Sequence, residues 1–274
     1  MARRTLYIVS DRTGITAETL AHTLLTQFDL PVDESRVYPF CDSRTKLEPV
    51  ITEIAQSAAT DDNPPLVFSS LVDEEHRLML RNAAAGGLFF DYFEIFLPLL
   101  RDALQQDVHA AKGLSHGIRN AGAYEHRIDA VNFTLGTDDG LQLKSLGQAD
   151  VVLVGVSRSG KTPISLYLAL QYGIWAANYP LTEEDLDTDR LPSPLLPVKD
   201  KLFGLTIDLA RLQAIRQQRR PGSDYASAQR CRHELSAAEH MFRVNQLPFI
   251  DATSMSIEEI AAAIMQRKGL KRRL

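Results

Sequence analysis

The sequence predicts an α/β protein of two domains, and three observations support this prediction. Short apolar runs alternate with segments of helical periodicity, which is typical of parallel sheets covered by helices. The chain has 274 residues, enough for one large domain or two modest ones. An irregular stretch interrupts the regular pattern near its middle. We therefore expect an N-terminal α/β domain at 1–106, a connecting segment at 107–148 and a C-terminal α/β domain at 149–274.

The first half contains the elements of a βα-repeat domain with a parallel sheet. Strands are predicted at residues 6–9, 37–40, 66–69 and 89–96. Four helices are predicted. The first follows from the four-residue spacing of Leu20, Leu24 and Phe28, and the second spans residues 47–59. The third begins after Asp73 as its N-cap, and the fourth lies near Leu100 and Leu104.

The second half repeats this alternation after one predicted helix near 128–135 and a turn at 138–140. Strands are predicted at residues 151–154, 174–179, 202–207 and 249–250. The last helix has the best-defined start, because Ser256 and Glu259 have the spacing of a capping box. Its apolar stripe consists of Ile257, Ile260, Ala261 and Ile264.

Composition excludes several functional classes. The chain is 45% hydrophobic and 24% charged, as soluble globular proteins are, and its net charge of −5 argues against a dedicated nucleic-acid binder. Cys41 and Cys231 have neither the spacing of a disulfide framework nor that of a zinc site. The first apolar run, residues 6–9, is too short for a signal peptide or a membrane span. We expect a cytoplasmic protein with neither nucleic-acid nor membrane partners.

One motif carries chemistry. Residues 155–162, GVSRSGKT, fit the P-loop pattern G-x-x-x-x-G-K-[ST], with an apolar strand before it and a helix after it. The pattern predicts a P-loop kinase-like domain, in which main-chain amides cradle phosphate, Lys161 supplies charge and Thr162 binds Mg²⁺. The predicted nucleotide-binding residues are Gly155, Val156, Ser157, Arg158, Ser159, Gly160, Lys161 and Thr162. The alternative, a glycine turn beside an ordinary lysine, requires the flanking strand and helix to be coincidental.

Other candidates have a plain structural alternative. Asp208, after the strand at 202–207, is a candidate catalytic and metal-holding carboxylate or else a helix cap, and Asp251 is a weaker candidate. Arg158 either reaches the transferred phosphate or points into solvent. Two basic clusters either dock an acidic protein or belong to solvated faces and a frayed end. They comprise Arg216, Arg219 and Arg220, and Lys268, Lys271, Arg272 and Arg273.

Several segments resemble one family, the regulatory proteins of phosphoenolpyruvate synthase and of pyruvate, phosphate dikinase. The first is SDRTGITAET at 10–19, and the resemblance runs from near residue 5 to the C-terminus. The other matching segments are 138–140, 155–163, 176–180, 201–208 and 256–260. The ending GLKRR, at 269–273, is more similar to the synthase-directed branch. The family usually has glycine at the position of Arg12, so arginine would be strained there if the turn needs a positive φ.

The resemblance implies a bifunctional enzyme. One activity is an ADP-dependent protein kinase that inactivates phosphoenolpyruvate synthase by phosphorylating a threonine beside its catalytic histidine. The other uses inorganic phosphate to remove the phosphoryl group as pyrophosphate. ADP, inorganic phosphate, Mg²⁺ and the synthase are therefore the expected substrates, cofactor and partner, and the catalytic candidates are Lys161, Thr162, Arg158 and Asp208.

Other functions stay open at the level of sequence. The same chemistry could act on pyruvate, phosphate dikinase, or a P-loop kinase could use ATP on a small metabolite. A nucleotide-dependent switch without transfer chemistry is a third class. A homodimer and a monomer are both compatible with the sequence.

Overall fold

The computed structural model describes residues 4–29, 34–85, 87–108 and 121–273. The chain divides into two units, residues 1–119 and 120–274. Each is an α/β unit with a four-stranded parallel sheet, as the sequence predicts. Of the helices in the described ranges, none combines the length and the apolar character needed to cross a bilayer.

The first unit has the strand order β2-β1-β3-β4. Its strands are β1 (Thr5–Val9), β2 (Glu34–Tyr38), β3 (Leu66–Ser69) and β4 (Leu88–Asp91). Its helices are α1 (Ile15–Leu25), α2 (Arg44–Thr60), α3 (Glu74–Ala83) and α4 (Tyr92–Leu104). Every residue of β1 and β3 is buried, because both strands are central and covered on two faces. Asp73 caps α3 as predicted, since its carboxylate accepts the amide of His76 at 3.1 Å.

Two predictions for this unit were wrong in detail. The buried residues of α1 are Ala17 and Ala21, and the helix ends at Leu25. Leu24 and Phe28 are therefore not core residues and are 45% and 63% exposed. The predicted fourth strand at 89–96 is mostly helix, because Asp91 caps α4 by accepting the amides of Phe93 and Glu94.

The loop after β1, residues 10–14, does not strain Arg12. The positive φ in this loop, 78°, belongs to Gly14 at the start of α1. The Arg12 amide donates to Ser10 Oγ at 3.2 Å, and the Arg12 carbonyl accepts the Phe40 amide at 2.8 Å. The predicted conflict between arginine and the backbone therefore does not arise.

The second unit has the equivalent order, β6-β5-β7-β8. Its strands are β5 (Val151–Gly155), β6 (Ala176–Pro180), β7 (Leu202–Thr206) and β8 (Phe249–Asp251). Its helices are α5 (Ala121–Gly136), α6 (Lys161–Tyr172), α7 (Glu183–Leu186), α8 (Leu209–Arg219), α9 (Ala228–Val244) and α10 (Ile257–Arg267). Short 3₁₀ turns occupy 138–140, 143–148, 193–201 and 224–226. The capping box of Ser256 and Glu259 at α10 is confirmed.

The segment expected to connect the domains contains the unit boundary. Residues 109–120 lie outside the described residues, and residues 121–148 belong to the second unit. Helix α5 packs along α6, and the turn at 138–140 packs on β6. The helix predicted near 128–135 is thus real, but it is part of the second unit's structure.

Candidate functional site

The loop of residues 156–160 leads from the central strand β5 directly into α6, and we call residues 155–162 the glycine–lysine loop. Gly155 is fixed by close packing, because a Cβ there would lie 2.5 Å from the carbonyl oxygen of Leu205. Gly160 is fixed by its backbone, with φ of 92° at the N-cap of α6. The sequence pattern therefore matches local requirements of the backbone at both glycines.

Arg158 also has a left-handed backbone, with φ of 73°. This conformation is uncommon for a residue other than glycine and persists only where the surroundings hold it. The side chain is half-buried. The structure thus places Arg158 within the loop and leaves its catalytic role a prediction.

Lys161 lies under the loop and not on the surface. The residue is 4% exposed, and its Nζ donates to the carbonyl oxygens of Gly155 and Val156, each at 2.9 Å. Burial lowers the pKa of Lys161 to about 8, against the opposing effect of the nearby Asp139 and Asp138 carboxylates. A lysine whose ammonium has already lost much of its water can bind a phosphate oxygen at a smaller desolvation penalty.

Thr162 contacts a carboxylate, that of Asp138, which was not among the predicted site residues. Its Oγ1 donates to Asp138 Oδ1 at 2.9 Å. Asn178, buried on β6, donates from Nδ2 to the same carboxylate oxygen and accepts the Asp139 amide at 3.0 Å. Asn178 therefore holds the 138–140 turn through two hydrogen bonds, one to the Asp138 carboxylate and one from the Asp139 amide. These bonds keep the Asp138 carboxylate beside Thr162 at the start of α6.

These residues fit a magnesium ion bound together with phosphate. The Thr162 hydroxyl and the Asp138 carboxylate are oxygen donors, which Mg²⁺ prefers, and they are adjacent. Among the described residues, no cluster of three or more His, Cys, Asp and Glu side chains could hold a metal. This is compatible with Mg²⁺, which usually uses one or two carboxylates with water and substrate phosphates. Ser159 Oγ adds a buried polar atom within the loop that lacks a hydrogen-bond partner in the described structure.

The two carboxylates proposed from the sequence have local roles. Asp208 is exposed and caps α8, since its Oδ1 accepts the amides of Ala210 at 2.8 Å and Arg211 at 3.1 Å. Asp251 accepts the amide of Thr253 at 2.9 Å in its own turn. The structural alternative therefore describes what both side chains contact, and a catalytic role for Asp208 stays a prediction.

The first basic cluster is divided by burial. Arg219 and Arg220 are exposed, whereas Arg216 is fully buried at 0% exposure. Arg216 pairs with Glu234 of α9 at 2.6 Å and lies behind the glycine–lysine loop. The expectation of a solvated or docking arginine at 216 was wrong.

The second basic cluster is held against its own unit. The Arg273 amide donates to the Tyr172 carbonyl at 2.9 Å, and its guanidinium pairs with Asp150. Arg272 lies over the Tyr172 ring and donates to the Gln171 carbonyl at 3.2 Å. The expectation of a frayed terminus was therefore wrong for these described residues, which cover the C-terminal end of α6.

Fold and site together define an α/β protein in which a central strand of a parallel sheet leads through a glycine–lysine loop into the N-terminus of a helix, an arrangement that suits phosphate binding. The chain belongs to the kinase/pyrophosphorylase family, whose model matches residues 6–265.

Relatives cover nearly the whole chain. A protein of Laribacter hongkongensis is 51% identical over 271 residues, which is 99% of this chain and 98% of the relative. A relative from Halorhodospira halophila is 48% identical over 99% of this chain and 98% of its own length. A third, from Legionella pneumophila (strain Corby), is 47% identical over 99% of this chain and 100% of its own length. All three carry the name of phosphoenolpyruvate synthase regulatory proteins.

Proposed function

We propose that the chain is a bifunctional regulator of phosphoenolpyruvate synthase, with an ADP-dependent threonine kinase activity and a phosphate-dependent, pyrophosphate-forming activity. The observation that carries this proposal is the glycine–lysine loop, with buried Lys161 beneath it, in a chain whose family is described as kinase/pyrophosphorylase. The names of the relatives support the synthase as the target.

One cradle serves both reactions because both transfer a phosphoryl group between oxygens. In the kinase direction, the threonine hydroxyl oxygen attacks the β-phosphorus of ADP. The bond to the AMP oxygen breaks, AMP leaves, and the hydroxyl proton is released. In the other direction, an oxygen of inorganic phosphate attacks the phosphothreonine phosphorus. The bond to the threonine oxygen breaks, pyrophosphate leaves, and the threonine oxygen takes up a proton.

The loop residues bind and orient the phosphates in both reactions. The main-chain amides at the start of α6 would donate to a bound phosphate, and the positive end of the helix dipole would add to its binding. On binding, the Lys161 ammonium exchanges the carbonyls of Gly155 and Val156 for phosphate oxygens. Fixed positive charge of this kind stabilises the transition state of phosphoryl transfer.

Thr162 and Asp138 are the residues that would hold Mg²⁺ beside the phosphates. An ion held there would supply positive charge that offsets the charge of the phosphates during transfer. Asn178 keeps the Asp138 carboxylate in place for this task, because it donates to the carboxylate from the sheet.

The test uses purified protein and purified synthase. Incubation with ADP and Mg²⁺ should place phosphate on a synthase threonine and release AMP, detected by mass spectrometry and chromatography. Subsequent inorganic phosphate should remove that group and yield pyrophosphate in equal amount. Parallel incubations contain ATP in place of ADP, or the dikinase in place of the synthase. Cytoplasmic location follows from this target and is checked by cell fractionation.

Each result bears on a different alternative. Transfer from ATP alone would favour a conventional kinase, and modification of the dikinase alone would reassign the target. Nucleotide binding without transfer to either protein would contradict the proposed enzyme.

A further inference from the structure

A fully buried arginine lies directly behind the glycine–lysine loop. Arg216 Nη2 donates to the carbonyl oxygen of Ser157 at 3.1 Å and to Glu234 Oε2 at 2.6 Å. We propose that Arg216 is a positioning residue, which orients the loop amide of Arg158 for phosphate. This inference rests on the proposed function, since it concerns how the same loop binds its substrates.

The geometry of the peptide bond gives the direct link. In a trans peptide, the carbonyl and the following N–H point in opposite directions, and the described peptide bonds are all trans. Arg216 draws the Ser157 carbonyl toward the core. The N–H of Arg158 in the same peptide group therefore points away from the core, and we assign it to a phosphate that approaches the loop from that side.

The backbone of Arg158 needs such a constraint. Its left-handed φ of 73° is unfavourable for a residue with a Cβ and persists only where neighbouring contacts hold it. Ser157, the residue before it, is held at two points. Arg216 binds its carbonyl, and the Tyr225 hydroxyl lies 2.8 Å from its Oγ in a second hydrogen bond.

Arg216 and Tyr225 form one assembly behind Ser157. The guanidinium lies over the Tyr225 ring, 4.2 Å from its centre, and Nη1 donates to the Tyr225 carbonyl at 3.1 Å. The planar, forked guanidinium can reach the Ser157, Tyr225 and Glu234 oxygens together. A lysine at this position has a single nitrogen and cannot reproduce that set of contacts.

The charge of Arg216 is balanced within the second unit. Glu234 binds it through Oε2 and binds Arg230 Nε through Oε1 at 2.8 Å. Buried ion pairs contribute little net stability compared with apolar side chains of similar size. The features that distinguish Arg216 from an apolar residue are therefore its hydrogen bonds to the Ser157 and Tyr225 carbonyls, and the first of these lies in the glycine–lysine loop.

The experiment measures pyrophosphate and ADP binding by calorimetry, with thermal unfolding of each variant. Arg216→Lys keeps the buried charge and loses the fork, so pyrophosphate affinity should fall about tenfold, the effect of one charge-assisted hydrogen bond. The double variant Arg216→Met with Glu234→Met removes both buried charges and should lose at least as much affinity while it still unfolds cooperatively. Tyr225→Phe removes only the hydroxyl contact and should show a smaller loss.

Arg219→Met is the matched control, since Arg219 is an exposed arginine on the same helix, and its affinity should equal that of the unaltered protein. A spectroscopic readout separates positioning from stability. With isotope-labelled arginine, the Arg158 amide resonance should shift when pyrophosphate is added. The shift should persist in the Arg219 variant and disappear in Arg216→Lys.

The outcomes separate this inference from the proposed function. If the unaltered protein binds and the folded Arg216 variants bind equally well, Arg216 does not position the loop and the function is unaffected. If folded, unaltered protein binds neither pyrophosphate nor ADP, the proposed function itself fails. Loss of folding in both Arg216 variants would also overturn the inference, because it would make Arg216 a structural residue.

Discussion

The two units place loops of equal length at the same point of sheets with the same strand order. Residues 10–14 follow β1, and residues 156–160 follow β5. Each loop ends in a left-handed glycine at the N-cap of the next helix, Gly14 with φ of 78° and Gly160 with φ of 92°. Both lie at the carboxyl ends of strands, where α/β sheets commonly bind ligands.

The loops differ in the charge buried beside them. The first contains Asp11, which is 5% exposed and accepts the Val72 amide at 3.3 Å. After Gly14 comes Ile15, which is 59% exposed, whereas Gly160 is followed by the buried Lys161. The first loop therefore contains a buried acidic side chain, Asp11, and the second is followed by a buried basic side chain, Lys161. Topology supplies a place for a ligand, and the side chains decide whether that ligand can be an anion.

The largest expected effect comes from removing that cation. Lys161→Ala should abolish both proposed activities, the kinase and the pyrophosphate-forming reaction, while the fold stays intact, because the proposal assigns its charge to both. Loss of one such electrostatic group lowers rates by about a hundredfold to a thousandfold or more. Assays of both reactions on the purified variant check this, with the exposed Lys144→Ala as control. Full retention of either activity would assign that activity to another site.

A second prediction concerns Asp138, the carboxylate beside Thr162 in the second unit. Asp138→Asn keeps the size of the side chain and removes its charge beside Thr162. The Mg²⁺ concentration needed for half-maximal activity should rise by at least about tenfold to a hundredfold, which is the effect of changing even the outer partners of a metal ligand. Titration of activity with Mg²⁺ measures this.

Asp208→Asn is the control for that prediction, because Asp208 is exposed and caps α8. Asparagine is as good a cap as aspartate, so stability and Mg²⁺ dependence should change little. A stronger effect at Asp208 than at Asp138 would restore Asp208 as the metal-holding carboxylate.

Substitution of the two N-cap glycines, Gly14 and Gly160, tests whether the two loops share a function as well as a backbone shape. Gly14→Ala and Gly160→Ala each force a side chain into a left-handed backbone, which costs about 1–2 kcal/mol of stability. A Cβ at Gly14 would also lie 3.2 Å from Val37 Cγ1, whereas at Gly160 the nearest atom is 3.5 Å away. Pyrophosphate affinity should fall only in the Gly160 variant. Equal losses of affinity in both variants would give the first loop a part in phosphate binding.

The smallest effect expected is on pH dependence. Because burial lowers the pKa of Lys161 to about 8, its charge is lost as pH rises through that value. Pyrophosphate affinity should therefore fall about tenfold between pH 7 and 9. Stability should change in the opposite sense. Between pH 8 and 10.5 the unfolded chain holds the Lys161 proton more tightly than the folded one, so this lysine's contribution to stability rises with pH.

Calorimetry in buffers of different ionisation enthalpy checks the cause of this dependence. Pyrophosphate binding near pH 8 should be coupled to the uptake of up to about half a proton by Lys161 in the unaltered protein, and this uptake should be missing in Lys161→Ala. An affinity that is flat from pH 7 to 9 would contradict the assignment to Lys161.

Local signals in the sequence predict much of this molecule. The strand at 151–154, the glycine–lysine loop and its helix follow from a short pattern whose residues are neighbours in the chain. Asp138 lies 24 residues before Thr162, and nothing local connects them, so only folding onto β6 brings them together. The match at 138–140 to the resembling family marked the segment without giving its task.

The sequence also did not reveal which charged residues are buried. Leu209, Leu212 and Arg216 follow at three- and four-residue spacing, so Arg216 lies on the apolar face of α8. That spacing was a usable signal, but a cluster of three arginines also fits a solvated face. Helix α9 could also have been predicted from its sequence, because a cap residue, Ser227, precedes apolar residues at helical spacing. Those buried along one side are Cys231, Leu235, Ala238 and Phe242.

The end of the chain has a practical consequence. Arg272 and Arg273 bind the last carbonyls of α6, the helix that begins at Lys161. Cations there compensate the negative end of the helix dipole. Proteolytic trimming of a few C-terminal residues during purification would remove these contacts from the helix end and leave the glycine–lysine loop in place. Intact mass should therefore be verified before any nucleotide titration, and affinity tags are better placed at the N-terminus.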